Sequence, residues 1–127
     1  YNLLRQWIAD GAPAAFTIIT AWNLLEHIAE SDLEALLSNV SRHLAHDGVF
    51  VGSVAMYEDT VDGVKWHQTV CSQEWWFKKF ANHGFEMIEP SPFTDTEFCR
   101  GSGNGPDDVD FLIHPNLGFH FTLRYKY

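Results

Sequence analysis

Phe16-Thr17-Ile18-Ile19-Thr20-Ala21-Trp22 leads into Asn23-Leu24-Leu25-Glu26-His27-Ile28, and after a leucine-spaced stretch comes Val49-Phe50-Val51-Gly52-Ser53-Val54. Near-continuous apolar runs of this length suit parallel strands buried on both faces, where alternation is not required. Between them, Ser31-Asp32-Leu33-Glu34 matches a capping box, so a helix is expected to start at Ser31. Leu33, Leu36, Leu37, Val40 and Leu44 recur on one helical face. Gly48 then stands where a helix stop is expected. The unit reads as strand, right-handed crossover helix, parallel strand.

Outward from this unit, Leu3, Leu4, Trp7 and Ile8 fit a short amphipathic helix over Tyr1 to Asp10, closed by Gly11. Downstream, Ser72 is placed to cap a helix over Gln73 to His83 with Trp76, Phe77 and Phe80 on its apolar face, and Gly84 ends it. Phe85 to Glu89 and Gly118 to Tyr125 alternate as strands do. The stretch from Pro90 to Leu117 is rich in Pro, Gly, Asp and Ser and reads as a long surface excursion. Its glycines, Gly101, Gly103 and Gly105, lack the strand-to-helix context of a phosphate cradle.

The 127 residues are enough for one domain, 1–127, and 46% are apolar, with ten Phe and five Trp, which excludes a disordered chain. A formal net charge of -9 opposes binding to nucleic-acid phosphates and to anionic membranes, so neither partner is expected. Cys71 and Cys99 are too few for a disulfide framework and read as free thiols in a reducing, cytoplasmic compartment. No run approaches the ~20 apolar residues of a membrane span. The start carries no signal-peptide pattern, and a first residue other than Met suggests a fragment or processed product.

The segment Trp22-Asn23-Leu24-Leu25-Glu26-His27-Ile28, the leucine-faced helix, and Leu44-Ala45-His46-Asp47-Gly48 leading into Val49-Phe50-Val51 together resemble the second half of a class I S-adenosylmethionine-dependent methyltransferase. The resemblance covers roughly residues 16 to 89. It departs from the family at Thr17, where an acidic residue is usual, and at His46-Asp47-Gly48, where a Pro-Gly-Gly-like turn is usual. It implies an α/β chain with a partial Rossmann-like methyltransferase fold, in which the family's strands four, five, seven and six form a four-stranded mixed sheet with flanking helices. It also implies S-adenosylmethionine as cofactor and a small-molecule methyl acceptor, with O-methylation the expected chemistry. The family's glycine-rich loop and ribose-binding carboxylate have no counterpart in these residues. The strand at Phe16 to Trp22 is then left with an open apolar edge, suited to homo-oligomerisation or to pairing with an N-terminal half.

Open α/β sheets bind ligands beyond the carboxyl ends of their strands, which directs attention to Trp22–Ile28 and Ser53–Thr69. The resemblance places Trp22 and Asn23 near the methionine part of the cofactor. Glu26 and His27 follow the first strand and are candidate catalytic residues, as is His67, whose imidazole suits a general base near neutral pH. Glu26 and His27 are also metal-ligand types, but two adjacent ligands do not define a site, and no metal is assigned. The alternative to an enzyme is a non-catalytic α/β binding or assembly module.

Overall fold

Strand β4, Leu44–Ala55, is the axis of the sheet, and its second half is buried at every position from Phe50 to Ala55. In this computed structural model residues 8–9, 11–93 and 111–126 are described. Two short strands, β1 (Ile8–Ala9) and β2 (Ala12–Pro13), pair antiparallel around Gly11, so the helix expected over Tyr1 to Asp10 does not extend through Ile8; residues 1–7 and 10 lie outside the described set. Strand β3 (Phe16–Trp22) runs parallel to β4, with Ile19 opposite Phe50 and Trp22 opposite Ser53. On the other side β8 (Gly118–Tyr125) runs antiparallel to β4, and β7 (Phe85–Met87) completes the order β3-β4-β8-β7. That is the four-stranded mixed sheet and the strand order which the resemblance implies. A separate hairpin, β5 (Thr60–Val61) and β6 (Val64–Lys65), stands after β4.

Helices α1 (Glu30–His43) and α2 (Gln73–Asn82) contribute to one core. Leu33 and Leu37 from α1 and Trp76 and Phe80 from α2 join Phe50 and Val54 of β4 and Phe121 of β8. The Phe121 ring lies 5.1 Å from that of Phe50 and 5.2 Å from that of Phe80, within the range where tilted aromatic pairs add to simple burial. Each such side chain removed from water contributes roughly 2–3 kcal/mol. The helix faces read from the leucine and aromatic spacing are therefore the ones buried. Ser72 caps α2 as expected, its hydroxyl accepting from the Trp75 amide at 3.2 Å, and Gly84 leaves the helix with φ +85°. No helix among the described residues is long and apolar enough to cross a membrane.

Three expectations are corrected. First, α1 starts at Glu30, with Ala29 as its cap and no capping side chain, so the capping box at Ser31 is not formed. Ile28 is buried in extended conformation and Ala29 follows with ψ 144°, which turns the chain into the helix before Ser31 is reached. Glu30 and Asp32 still favour that end electrostatically. Second, Gly48 does not stop the helix. The helix ends at His43, Leu44 already pairs with Phe16, and the register then shifts before Ile18 meets Val49. A Cβ on Gly48 would lie 2.9 Å from the Phe16 carbonyl oxygen, so glycine serves close strand approach beside this bulge. Third, β3 is not buried on both faces: Phe16, Thr17, Ile18 and Thr20 are exposed. It is the edge of the sheet, with no strand on its outer side among the described residues.

Gly52 is the tightest point of the sheet. A Cβ there would stand 2.0 Å from the Ala21 carbonyl oxygen and 2.8 Å from the Phe121 ring, contacts that neither backbone nor core can yield to cheaply. Gly63, with φ +76° and nothing within 4 Å of where a Cβ would stand, offers a contrast. We expect Gly52→Ala to cost about 3 kcal/mol or more in urea unfolding, and Gly63→Ala only about 1 kcal/mol of left-handed strain. Equal losses would remove the steric account.

Candidate functional site

The carboxyl ends of β3 and β4 are tied together by Asn23 and Ser53. The Asn23 backbone takes φ +47°, a left-handed conformation that Asn tolerates better than most residues. Its amide donates to the Ser53 carbonyl at 3.0 Å, and the Ser53 hydroxyl donates to Asn23 Oδ1 at 2.7 Å. Trp22, half-buried, meets the His120 ring edge-on at 6.5 Å. The chain then makes a single 3-10 turn, Leu25–His27, which buries Leu25 and Glu26 and leaves His27 nearer the surface.

That turn is stapled to the segment after β6. The Glu26 carbonyl accepts from both the Gln68 amide (2.7 Å) and the Thr69 amide (3.0 Å), and the Thr69 hydroxyl donates to the Ile28 carbonyl at 2.7 Å. The staple carries His67 to the Glu26–His27 pair, and the two imidazole rings stand edge to face with centroids 4.8 Å apart. Glu26, His27 and His67 each present a ligand-type atom within 4.8 Å of the others. The three candidate catalytic residues are thus brought together, while Trp22 and Asn23 sit at the strand end just before them.

Each imidazole is oriented by backbone. His27 Nδ1 meets the Trp66 carbonyl at 2.9 Å and His67 Nδ1 meets the Tyr57 carbonyl at 2.6 Å. A carbonyl only accepts, so both Nδ1 atoms carry the hydrogen, and in the neutral rings both Nε2 atoms hold a lone pair. His67 is 3% exposed, far from the solvated loop residue its sequence context also allows. Its Nε2 lies 3.9 Å from Asp59 Oδ2.

Glu26 is fully buried and neither carboxylate oxygen has a hydrogen-bond partner. Desolvation raises its pKa from 4.5 to about 7, against the smaller opposing influence of the Glu26 and Ala55 amides. Such a group can hold or release a proton near neutrality. Burial, followed by the Glu30 carboxylate, raises the Cys71 thiol, so this cysteine is not an activated nucleophile.

Asp59 and the β5–β6 hairpin are not among the features singled out from sequence. The signal is present: Asp62-Gly63 between Val61 and Val64 is a two-residue hairpin turn, and both residues adopt positive φ, +51° and +76°. The hairpin closes with the Trp66 amide donating to the Asp59 carbonyl at 2.8 Å. It thereby delivers the Trp66 carbonyl to His27 and the Asp59 side chain to His67.

The parallel pair joined by α1, flanked by the antiparallel β8 and β7, matches part of a class I methyltransferase fold. The glycopeptide N-methyltransferase MtfA in complex with S-adenosyl-L-homocysteine superposes with a TM-score of 0.62 at 13% identity, over 98% of this chain and 59% of that one. A complex of DhpI with SAH gives 0.57 at 13% identity, over 94% of this chain and 50% of that one. The chain thus spans between half and three fifths of these neighbours' length. No protein-family model and no curated protein sequence matches it.

The Glu26 carboxyl makes stability depend on pH with a definite sign. Its folded pKa of about 7 stands above the unfolded 4.5, so between these values the folded state holds more protons than the unfolded. Stability is greatest below that window and falls as pH rises through it, by about 3 kcal/mol in all. Urea unfolding in chelator-containing buffer from pH 4.5 to 7.5 should show this decline, and Glu26→Gln should flatten it and exceed the wild type above pH 7. A wild-type profile that rises across the window contradicts the orphaned carboxyl.

Proposed function

We propose that this chain is part of an S-adenosylmethionine-dependent methyltransferase acting on a small molecule, with a hydroxyl oxygen as the methyl acceptor. The observation that carries the reading is the convergence of a buried carboxyl of near-neutral pKa and two oriented imidazoles at the carboxyl ends of adjacent strands. The neighbouring folds bind S-adenosylmethionine or its product, as their names state.

The residues present fit part of that cofactor. Trp22 offers a half-buried aromatic side chain at the strand end. Asn23 has its Oδ1 engaged by Ser53, which leaves Nδ2 as its donor toward a ligand. When bound, the cofactor supplies a methyl group on a positively charged sulfur and leaves as a neutral thioether. His67 Nε2, with its lone pair, takes the proton of the acceptor hydroxyl as the oxygen attacks. Ionised Glu26 beside it stabilises the resulting imidazolium, and the half-buried His27 flanks the reacting oxygen at the mouth. Closing the site against water strengthens both interactions.

The same reading assigns residues 1–127 to the C-terminal part of a methyltransferase-like domain in the cytoplasm. The exposed edge at Phe16 and Ile18 then takes a further strand, from the N-terminal half of such a domain or from a second copy. Neither nucleic acid nor membrane is a partner in this reading.

Calorimetric titration with S-adenosylmethionine, followed by transfer of an isotopically labelled methyl group to a panel of small hydroxyl and amine compounds, tests the proposal. Saturable binding and label on oxygen are expected, with label on nitrogen instead overturning the acceptor assignment. His67→Ala should lower turnover about 10²-fold or more. Absence of both cofactor binding and label transfer would favour the binding or assembly module.

A further inference from the structure

We infer that Glu26, His27 and His67 form a binding site for a divalent transition-metal ion, with coordination positions left open. Two features beyond the clustering carry this. The Glu26 carboxylate is fully buried, points into the cluster, and has no partner for either oxygen. Burying a carboxyl in this way is costly unless something pairs with it. Both histidines, moreover, donate Nδ1–H to a backbone carbonyl, which orients each ring and leaves its Nε2 lone pair available to a ligand. This is the arrangement that orients and strengthens imidazole ligands in metal sites.

The ligands come from two separate segments, the 3-10 turn and the strand-following loop, and the amide staple at the Glu26 carbonyl sets their spacing. Donor atoms 4.8 Å or less apart must contract to roughly 3.4 Å for tetrahedral bonds of about 2.1 Å. His27 is the least buried of the three and so has the most room to shift toward the others. Asp59, 3.9 Å from His67 Nε2 and partly exposed, is the next oxygen donor outward. Two imidazoles and one carboxylate favour zinc or another first-row ion over magnesium or calcium, which prefer all-oxygen shells. Three protein ligands leave positions for water or for an oxygen of a bound small molecule. An ion held there lowers the pKa of a hydroxyl bound to it. In the loaded state His67 is a ligand, and the ion replaces it in activating that oxygen.

Zinc titrated calorimetrically into chelator-treated protein should bind with one-to-one stoichiometry. Cobalt should give visible absorption bands of a mixed nitrogen and oxygen shell. His27→Ala, Glu26→Gln and His67→Ala should each weaken zinc by at least about tenfold, the loss seen even for outer-shell partners of metal ligands. His114→Ala, at an exposed loop residue, should leave uptake unchanged. Magnesium should not compete. His27→Ala is the decisive variant if either buried substitution fails to fold, because His27 is the member nearest solvent. Absence of saturable uptake, or uptake unaffected by His27→Ala, overturns the site. The measurement needs neither cofactor nor methyl acceptor, so its failure leaves the methyl-transfer reading standing, and the reverse also holds.

Discussion

A single backbone carbonyl, that of Glu26, accepts the amides of Gln68 and Thr69 and thereby decides where the chemistry of this molecule can occur. Together with the Thr69 hydroxyl on the Ile28 carbonyl and His27 Nδ1 on the Trp66 carbonyl, those two bonds join the turn after β3 to the segment after β6. With them, His67 is carried from a loop some forty positions downstream to the side of Glu26 and His27. Each backbone bond contributes only about 1 kcal/mol net. Their importance is geometric, because they fix two segments whose own conformations are already set. The 3-10 turn is held by the His27 and Ile28 amides on the Leu24 and Leu25 carbonyls, and the hairpin by its Asp-Gly turn.

The rest of the fold supplies rigidity around this junction. The aromatic layer of Phe50, Phe80 and Phe121 holds β4, α2 and β8 as one body, and Gly52 lets β3 and the Phe121 ring come close to β4. The Asn23–Ser53 pair then closes the strand ends above it. Only against such a frame can a carboxyl be kept buried without a partner. Glu26 breaks the rule that buried polar groups are paired, as the Trp76 indole nitrogen in the core also does, and breaches by ionisable groups concentrate at functional positions.

How much of this is legible in the sequence differs by level. Strands, helix faces and sheet order follow from apolar runs, leucine and aromatic spacing and the family resemblance, and Ser72 and Gly84 mark the ends of α2. These signals are local, and packing agrees with them. The start of α1 and the role of Gly48 escape the sequence because tertiary context overrules local pattern. Burial of Ile28 starts the helix early, and the approach of Phe16 makes Gly48 a packing requirement. At the site, residue types are legible but environment is not. Nothing in the letters Glu-His separates a solvated pair from a carboxylate sealed at 0% exposure. Asp62-Gly63 is the cue that places Asp59 beside the downstream loop, and its meaning is clear only once the turn is seen as a hairpin.

The state of Glu26 links these levels to function. A buried carboxyl with no well-formed hydrogen bond has three ways to lower its free energy: keep a proton, face a cation, or admit water. At this position the first two compete for the same atoms, because the neighbouring Nε2 lone pairs suit either a proton shared with His67 or an ion shared with both rings. An ion must displace the Glu26 proton to bind, so its apparent affinity rises with pH across the range in which the carboxyl would otherwise hold it. The desolvation that destabilises the free carboxylate also strengthens its attraction to a cation, since both effects grow as the local dielectric falls. A site built this way is poorly satisfied when empty and ionised. Burying an ionisable glutamate there therefore costs the fold stability that a neutral side chain would not.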